Sequence, residues 1–370
     1  MIRSSHGEVP ESAMTSFPVR TFLLPFLVVM LASMPCLLSG CGEGGETPSV
    51  QDEGPREIRL QLNWFPEPEF GGFYAAEAGG GFEKRGLRVN LLPGSADVPG
   101  AQLLAAGQVD AAIVSASQLV TLRASGGRIV AVHASFQKAP RAIVVRRDSP
   151  YQTLADLWAA EGKFMAGDGE PYLRWLERKF GPSRLVRVPY AGSLAPFLAG
   201  EVVAMQAFAT AEPVQLESDG VATRVFLVAE TGLDPYDVVL AVREEMLDSE
   251  PEVVARLVEA VSEGWDSYLG NPGPVNEIIK SLNPDFTPRT LELAASALPR
   301  FVRSEETDAR RIGWMSEDRW KTLVDQMVEI EEISPAERDR LGRLFVNPVV
   351  TSGADTETKT ETKTEVDAAG

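Results

Sequence analysis

Apolar and polar positions change period many times along the chain, and the changes mark its elements. Ile58-Arg59-Leu60-Gln61-Leu62 alternates, the pattern of a half-buried strand. Leu87-Arg88-Val89-Asn90-Leu91-Leu92 predicts a second strand. Val109 to Val114, Arg128 to His133, Phe164-Met165-Ala166, the run from Val202 and Asp237 to Val242 are short apolar stretches and read as buried strands. Between them lie helical stretches: Val98 to Ala106, closed by Gly107, then Gln118 to Ala124, closed by Gly126-Gly127, and later Tyr172 to Phe180. Beyond Val242 the period becomes helical throughout. Pro251 to Gly264 sets Val253, Val254, Leu257, Val258 and Val261 on one face, and Pro274 to Leu282, Pro288 to Leu298 and Glu317 to Ile330 follow. Strands alternating with short helices predict mainly parallel sheets, whose ligands lie outside the C-terminal strand ends.

One such end stands apart. After the first strand comes Asn63-Trp64-Phe65-Pro66-Glu67-Pro68-Glu69-Phe70-Gly71-Gly72-Phe73-Tyr74. Pro66 and Pro68 stop either element from extending, and Gly71 and Gly72 let backbone come close to a neighbour. Aromatics and an amide there suit a pocket for a small flat molecule, or equally an aromatic core cluster. Two other strand ends deliver Ser115-Ala116-Ser117 and Phe136-Gln137-Lys138. Gly167-Asp168-Gly169 has the backbone to cradle an anion, but Asp168 and Glu170 would repel one. Ala106-Gly107-Gln108-Val109-Asp110-Ala111 echoes in Ala199-Gly200-Glu201-Val202-Val203-Ala204, each after a helix and before a buried strand. The echo predicts two lobes on one βα plan.

The 370 residues suffice for both lobes. A net charge of -18 argues against nucleic acid as partner, because phosphates want a basic surface. The cysteines, Cys36 and Cys41, lie near the N-terminus, and the histidines are His6 and His133. That leaves no thiol nucleophile or zinc cluster in the body, and neither metal nor cofactor is expected. His133, inside an apolar strand, reads as a packed residue.

Thr21 to Leu38 is an apolar run, broken by Pro25 and Pro35 and preceded by Arg20: a secretory signal peptide over residues 1–40. A translation start at Met14 would put Arg20 close before it. Its end, Leu38-Ser39-Gly40-Cys41, resembles the lipobox of bacterial lipoproteins, which implies cleavage before Cys41 and lipids on it. Residues 41–56 read as a tether, and residues 350–370, with their repeated Glu-Thr-Lys-Thr, as a disordered tail.

The motifs together carry a family resemblance. Leu62-Asn63-Trp64-Phe65-Pro66, Gly72-Phe73-Tyr74-Ala75-Ala76 and Gly81-Phe82-Glu83-Lys84-Arg85-Gly86-Leu87-Arg88-Val89 resemble the opening of ABC-transporter solute-binding proteins of the thiamine-pyrimidine-precursor-binding type. Phe136-Gln137-Lys138-Ala139-Pro140 resembles a further segment of that family. Gly200 to Pro213 resembles its G-x-V-D-A-x-x-x-Y-x-x-N-E-P, with Val203, Phe208 and Ala211 departing from it and Glu212-Pro213 kept. The resemblance implies an α/β, two-lobed, type II periplasmic-binding-protein-like fold, each lobe a mainly parallel sheet flanked by helices. Residues 57–145 and 238–349 would form one lobe and 146–237 the other, with crossovers near Arg146-Arg147 and Tyr236-Asp237. It implies a monomer, lipid-anchored on the extracytoplasmic face of a membrane, that binds a small heteroaromatic molecule without turnover and hands it to an ABC permease. Trp64, Phe70, Tyr74 and Phe208 would wall the ligand, while Asn63, Ser115, Gln137 and Glu212 would supply polar contacts. The departures leave the ligand open among pyrimidine precursors, riboflavin, alkyl sulfonates and nitrate. The rival is an enzyme of thiamine pyrimidine biosynthesis: related eukaryotic enzymes that make this pyrimidine carry a histidine where this chain has Phe70, and a cysteine-rich motif it lacks.

Overall fold

The computed structural model describes residues 54–349. Cys41, the apolar run before it and the polar tail lie outside them. The described strands are β1 (Arg56–Gln61), β2 (Leu87–Leu92), β3 (Ala111–Val114), β4 (Ile129–Phe136), β5 (Arg141–Arg146), β6 (Gly162–Ala166), β7 (Leu185–Pro189), β8 (Ala204–Phe208), β9 (Thr223–Leu227) and β10 (Asp237–Arg243). They form two five-stranded sheets, ordered β2-β1-β3-β10-β4 and β7-β6-β8-β5-β9. β1 runs parallel to β2 and β3, and β6 to β7 and β8. The one strand that opposes its neighbours is β10 in the first sheet and β5 in the second.

Those opposed strands are the ones the chain enters on crossing between lobes. β5 belongs to the second sheet, so the outward crossover lies in residues 137–140, earlier than the expected Arg146-Arg147. The reason is pairing: Arg141 to Val145 make a ladder with Phe208 to Ala204, which ties this strand to the second lobe. The apolar run alone does not say which sheet it joins.

The internal echo is a structural repeat. Gly107 and Gly200 both hold positive φ, 71° and 74°, at the turn before the third strand of each sheet. The Asp110 N–H donates to Arg59 O, and the Val203 N–H donates to Lys163 O, the corresponding bond in the other lobe. Asp110 also accepts from the backbone and guanidinium of Arg59 at 2.9 and 3.1 Å. Val203 gives up that pairing and packs where a side chain on Gly162 would otherwise sit.

The aromatic stretch divides at its glycines. Helix Gly71–Ala78 lies flat against helix Pro251–Gly270. A Cβ on Gly71 would fall 2.0 Å from the Tyr268 ring, and one on Gly72 2.3 Å from Trp265. A Cβ on Gly264 would meet Gly72 O at 2.1 Å, so both helices are bare at the contact. Phe70, Phe73 and Tyr74 are buried in the core this contact creates. Phe70 and Tyr74, expected to wall a ligand, are core residues here because the glycines draw their helix onto Trp265 and Tyr268 rather than leaving it at a pocket. Among the described residues no helix is long and apolar enough to cross a membrane.

Candidate functional site

Between the two sheets lies a cleft with a cavity of about 420 Å³. The first lobe lines it with the loop after β1, through Asn63, Trp64, Glu67 and Glu69, and with Ser115 at the end of β3. The second lobe contributes Arg141, Glu170, Tyr190, Gln206, Phe208 and Glu212, and Asp237 closes it where the chain returns. These are strand ends and the loops leaving them, the place where open sheets bind ligands.

The β1 loop is held by main chain. Gly94 N–H donates to Trp64 O at 2.9 Å, and a Cβ on Gly94 would strike Leu62 O at 2.3 Å. Ser115 caps helix Ala116–Ala124. Its Oγ accepts from the Gln118 N–H at 3.1 Å and the Gln118 side chain accepts from the Ser115 N–H, so the cap fixes the hydroxyl at the cleft edge.

Trp64 faces Tyr190 across the cleft, ring centroids 6.5 Å apart and planes 14° apart. The Tyr190 hydroxyl donates to Glu212 Oε1 at 2.7 Å, and Glu212 Oε2 accepts from the Phe208 N–H at 2.6 Å. Glu212 is also the first residue of helix Glu212–Ser218 and precedes Pro213. Its carboxylate thus ties the end of β8 to the aromatic wall. Beyond the Trp64–Tyr190 pair is a second hollow of about 500 Å³, which reaches Phe65, Leu198 and Phe286 and shares Trp64, Glu67, Tyr190 and Glu212 with the inner cavity.

The cleft is rich in acids. Burial, with Asp237 and Glu212 nearby, pushes the Glu69 carboxyl up to about 8. Burial and the charges of Glu69 and Glu212 raise Glu67 well above the ordinary carboxylate range, and its carboxyl hydrogen-bonds to that of Glu69. At least one of the two therefore keeps its proton near neutral pH. Burial lifts Asp237 to about 6 against the opposing pull of Arg141. Asp237 Oδ1 accepts from the Val238 N–H at 2.9 Å, and Val238 holds a φ of 47°. A β-branched residue there is strained, by about 1–3 kcal/mol, a conformation that persists only because the surrounding structure imposes it. Arg141 lies over Phe208 at 4.7 Å and Tyr172 at 5.6 Å, with Glu170 at 4.0 Å as its ion-pair partner.

Of the eight residues singled out from sequence, Asn63, Trp64, Ser115, Phe208 and Glu212 line this cavity and Phe70, Tyr74 and Gln137 do not. Gln137 is buried and donates to the carbonyls of Ala134 and Trp314, so it braces the first-lobe core. His133 lies buried in β4, and burial holds it well below the usual histidine range, hence neutral. Sequence reading passed over Glu67, Glu69, Arg141, Tyr190, Gln206 and Asp237. Glu67 and Glu69 carried a signal: two acids inside an aromatic, proline-rich loop at a strand end. Tyr190 carried a weaker one, an aromatic ahead of Gly192-Ser193 at the end of β7. Metal is not indicated by a cluster: among the described residues no group of three or more His, Cys, Asp or Glu is placed to hold an ion.

Comparison with known proteins agrees with the fold. The sequence profile of the NMT1/THI5-like family matches residues 67–274. The riboflavin-binding protein RibY of Chloroflexus aurantiacus is 23% identical over 360 residues, covering 91% of this chain and 99% of that protein. A Haemophilus influenzae protein whose name provisionally assigns it to thiamine biosynthesis is 25% identical over 294 residues, covering 75% of this chain and 90% of its own. The periplasmic aliphatic sulphonate binding protein SsuA of Escherichia coli superposes with a TM-score of 0.59 at 16% identity, over 85% of this chain and 99% of SsuA. The fold is the two-lobed one of such periplasmic binding proteins.

Proposed function

The chain belongs to the NMT1/THI5-like family, and from that premise we propose that it is a lipid-anchored solute-binding protein of an ABC importer that captures a small heteroaromatic ligand between its lobes. A thiamine-pyrimidine-precursor-like molecule fits the reading best. The observation that carries it is the pairing of flat walls with acceptors: Trp64 faces Tyr190 at 6.5 Å, and the carboxyl groups of Glu67, Glu69 and Glu212 line the same cavity. Aromatic faces take a flat ring, and carboxyl oxygens accept its N–H groups. A sulfonate or nitrate would meet those same carboxylates, which speaks against both. The ligand would bridge the lobes and favour the closed form that a permease recognises.

A flavin-sized ligand is the second reading. The adjoining hollow of about 500 Å³ gives room for a longer ring system or side arm, and RibY aligns with 91% of the chain.

Mass spectrometry of ligand released from gently purified protein tests both. One N–H-bearing heteroaromatic per chain, returned unaltered after incubation, is expected. An alkyl sulfonate in the cleft, or conversion of the bound molecule by the protein alone, would overturn the reading.

A further inference from the structure

On the second-lobe wall two hydrogen-bond donors point into the cleft without acceptors. Gln206 is 7% exposed and lines the cavity. Its Oε1 accepts from the Gly167 N–H at 2.8 Å and from the Tyr172 hydroxyl at 3.2 Å. The backbone donor fixes which end of the amide is oxygen, so Nε2 is left over, and among the described residues nothing accepts from it. Arg141 is the second donor. Its guanidinium is stacked on Phe208 and Tyr172, and its ion-pair contact is Glu170 at 4.0 Å, too long for a hydrogen bond. Among the described residues it makes no side-chain hydrogen bond. Tyr172 joins the two: its ring backs Arg141 and its hydroxyl orients Gln206. Held in place and lining the cavity, both keep N–H groups free to donate to a ligand.

Resting on the reading of the cleft as the ligand site, we propose that Arg141 and Gln206 form a donor subsite for an uncharged acceptor of the ligand, a ring carbonyl oxygen. The protein then selects a heteroaromatic with two unlike edges. One edge accepts from Arg141 and Gln206, and the other donates to the carboxyl groups of Glu67, Glu69 and Glu212. The acceptor is uncharged because six carboxyl-bearing residues and one guanidinium line the cavity, and Glu170 sits beside Arg141. A full negative charge would face the carboxyl groups of Glu170, Glu212 and Asp237 with a single guanidinium to offset them. A neutral carbonyl gains the guanidinium fork without that repulsion.

Three small probes and the purified full chain test this, with binding read by quenching of tryptophan fluorescence or by saturation-transfer NMR. The probes are 4-aminopyrimidine, 4-aminopyrimidin-2-one and 4-aminopyrimidine-2-carboxylate. The wild type should bind the pyrimidinone about tenfold or more tightly than the plain aminopyrimidine, since a site with committed polar groups rejects a ligand that leaves them unpaired. Gln206→Glu keeps the oxygen that Gly167 and Tyr172 need and removes the amide donor, and Arg141→Met keeps the stem and removes the fork. In each, with thermal unfolding near that of the wild type, the pyrimidinone-to-aminopyrimidine ratio, taken within the same variant so that any change common to both probes cancels, should fall to about threefold or less. An equal affinity of the wild type for pyrimidinone and aminopyrimidine, failure to bind either, a preference that both variants keep, or tightest binding of the carboxylate would overturn the subsite. Trp64→Ala separates this from the cleft reading: it should weaken all three probes, and if it weakens none, the cleft assignment itself fails.

Discussion

Tyr190 presents its ring to Trp64 at a centroid distance of 6.5 Å while its hydroxyl donates to Glu212 at 2.7 Å. One residue of the second lobe thus couples the aromatic wall of the first lobe to the carboxylate at the foot of its own. Tyr190 carries the geometry between Trp64 and Glu212. Ligand contacts and lobe closure are for that reason expected to fail together when Tyr190 is removed.

Trp64→Ala and Tyr190→Ala should each weaken binding of the co-purifying ligand about tenfold or more, because a stacked partner is worth about 0.5–1.5 kcal/mol beyond burial. Calorimetry measures the affinity and circular dichroism checks the fold. Affinity within twofold of the wild type for both variants would remove the aromatic pair from the site.

Glu212→Ala strips the acceptor from two donors at once, the Tyr190 hydroxyl and the Phe208 N–H. An unpaired buried donor costs about 1–3 kcal/mol, so stability and affinity should both drop. Glu212→Gln keeps one acceptor oxygen and should lose less of each. Tighter binding of the native ligand to Glu212→Gln would point to an anion and end the pyrimidine assignment.

The acid pair predicts an inverse pH profile for the unliganded protein. Glu69 is raised to about 8, from an ordinary carboxylate value of about 4.3 in the unfolded chain. The folded state then binds the extra proton, and stability is fully present below about pH 4 and is lost as pH rises toward 8. Asp237, raised to about 6, adds to the lower part of that window. Glu69→Gln should flatten the profile and stabilise the protein at pH 8 by on the order of a few kcal/mol. Urea midpoints measured from pH 5 to 8.5 decide it; parallel curves for the two proteins would contradict a buried protonated pair.

Gly72→Ala should destabilise by about 1–3 kcal/mol and leave affinity unchanged in the folded fraction. Its Cβ would lie 2.3 Å from the Trp265 indole, which is itself buried and donates to Ser135 Oγ at 2.9 Å. Chemical denaturation and a ligand titration separate the two effects. A fully stable Gly72→Ala with weakened binding would put this helix back at the ligand.

Cys41→Ser should shift the protein from the membrane to the soluble fraction, since the lipids that hold it there need the thiol. Fractionation and intact-mass measurement check it. Wild-type protein cleaved before Cys41 but lacking added lipid mass would refute the anchor.

Local pattern carried much of this molecule. Period-2 and period-3.6 runs placed β1 to β4, β6, β8, β10 and the longer helices, and passed over β5, β7 and β9, because backbone periodicity and burial act on neighbouring residues. The echo at Gly107 and Gly200 showed the repeated lobe plan, since a positive φ before a buried strand needs glycine in both copies. Strand-end positions gave Trp64, Ser115 and Glu212, which the fold brings to one cavity. What tertiary structure alone decided were the pairings. Strand β5 went to the second sheet because its ladder partners, Ala204 to Phe208, are about sixty residues away in sequence. Phe70 and Tyr74 went to the core because Trp265 and Tyr268 claimed the face that Gly71 and Gly72 left bare. Arg141, Gln206, Tyr190 and Asp237 became cleft residues only when two sheets, each made of distant segments, set their strand ends against one another. A side chain's neighbours across such a gap are fixed by packing of the whole, and no local period records them.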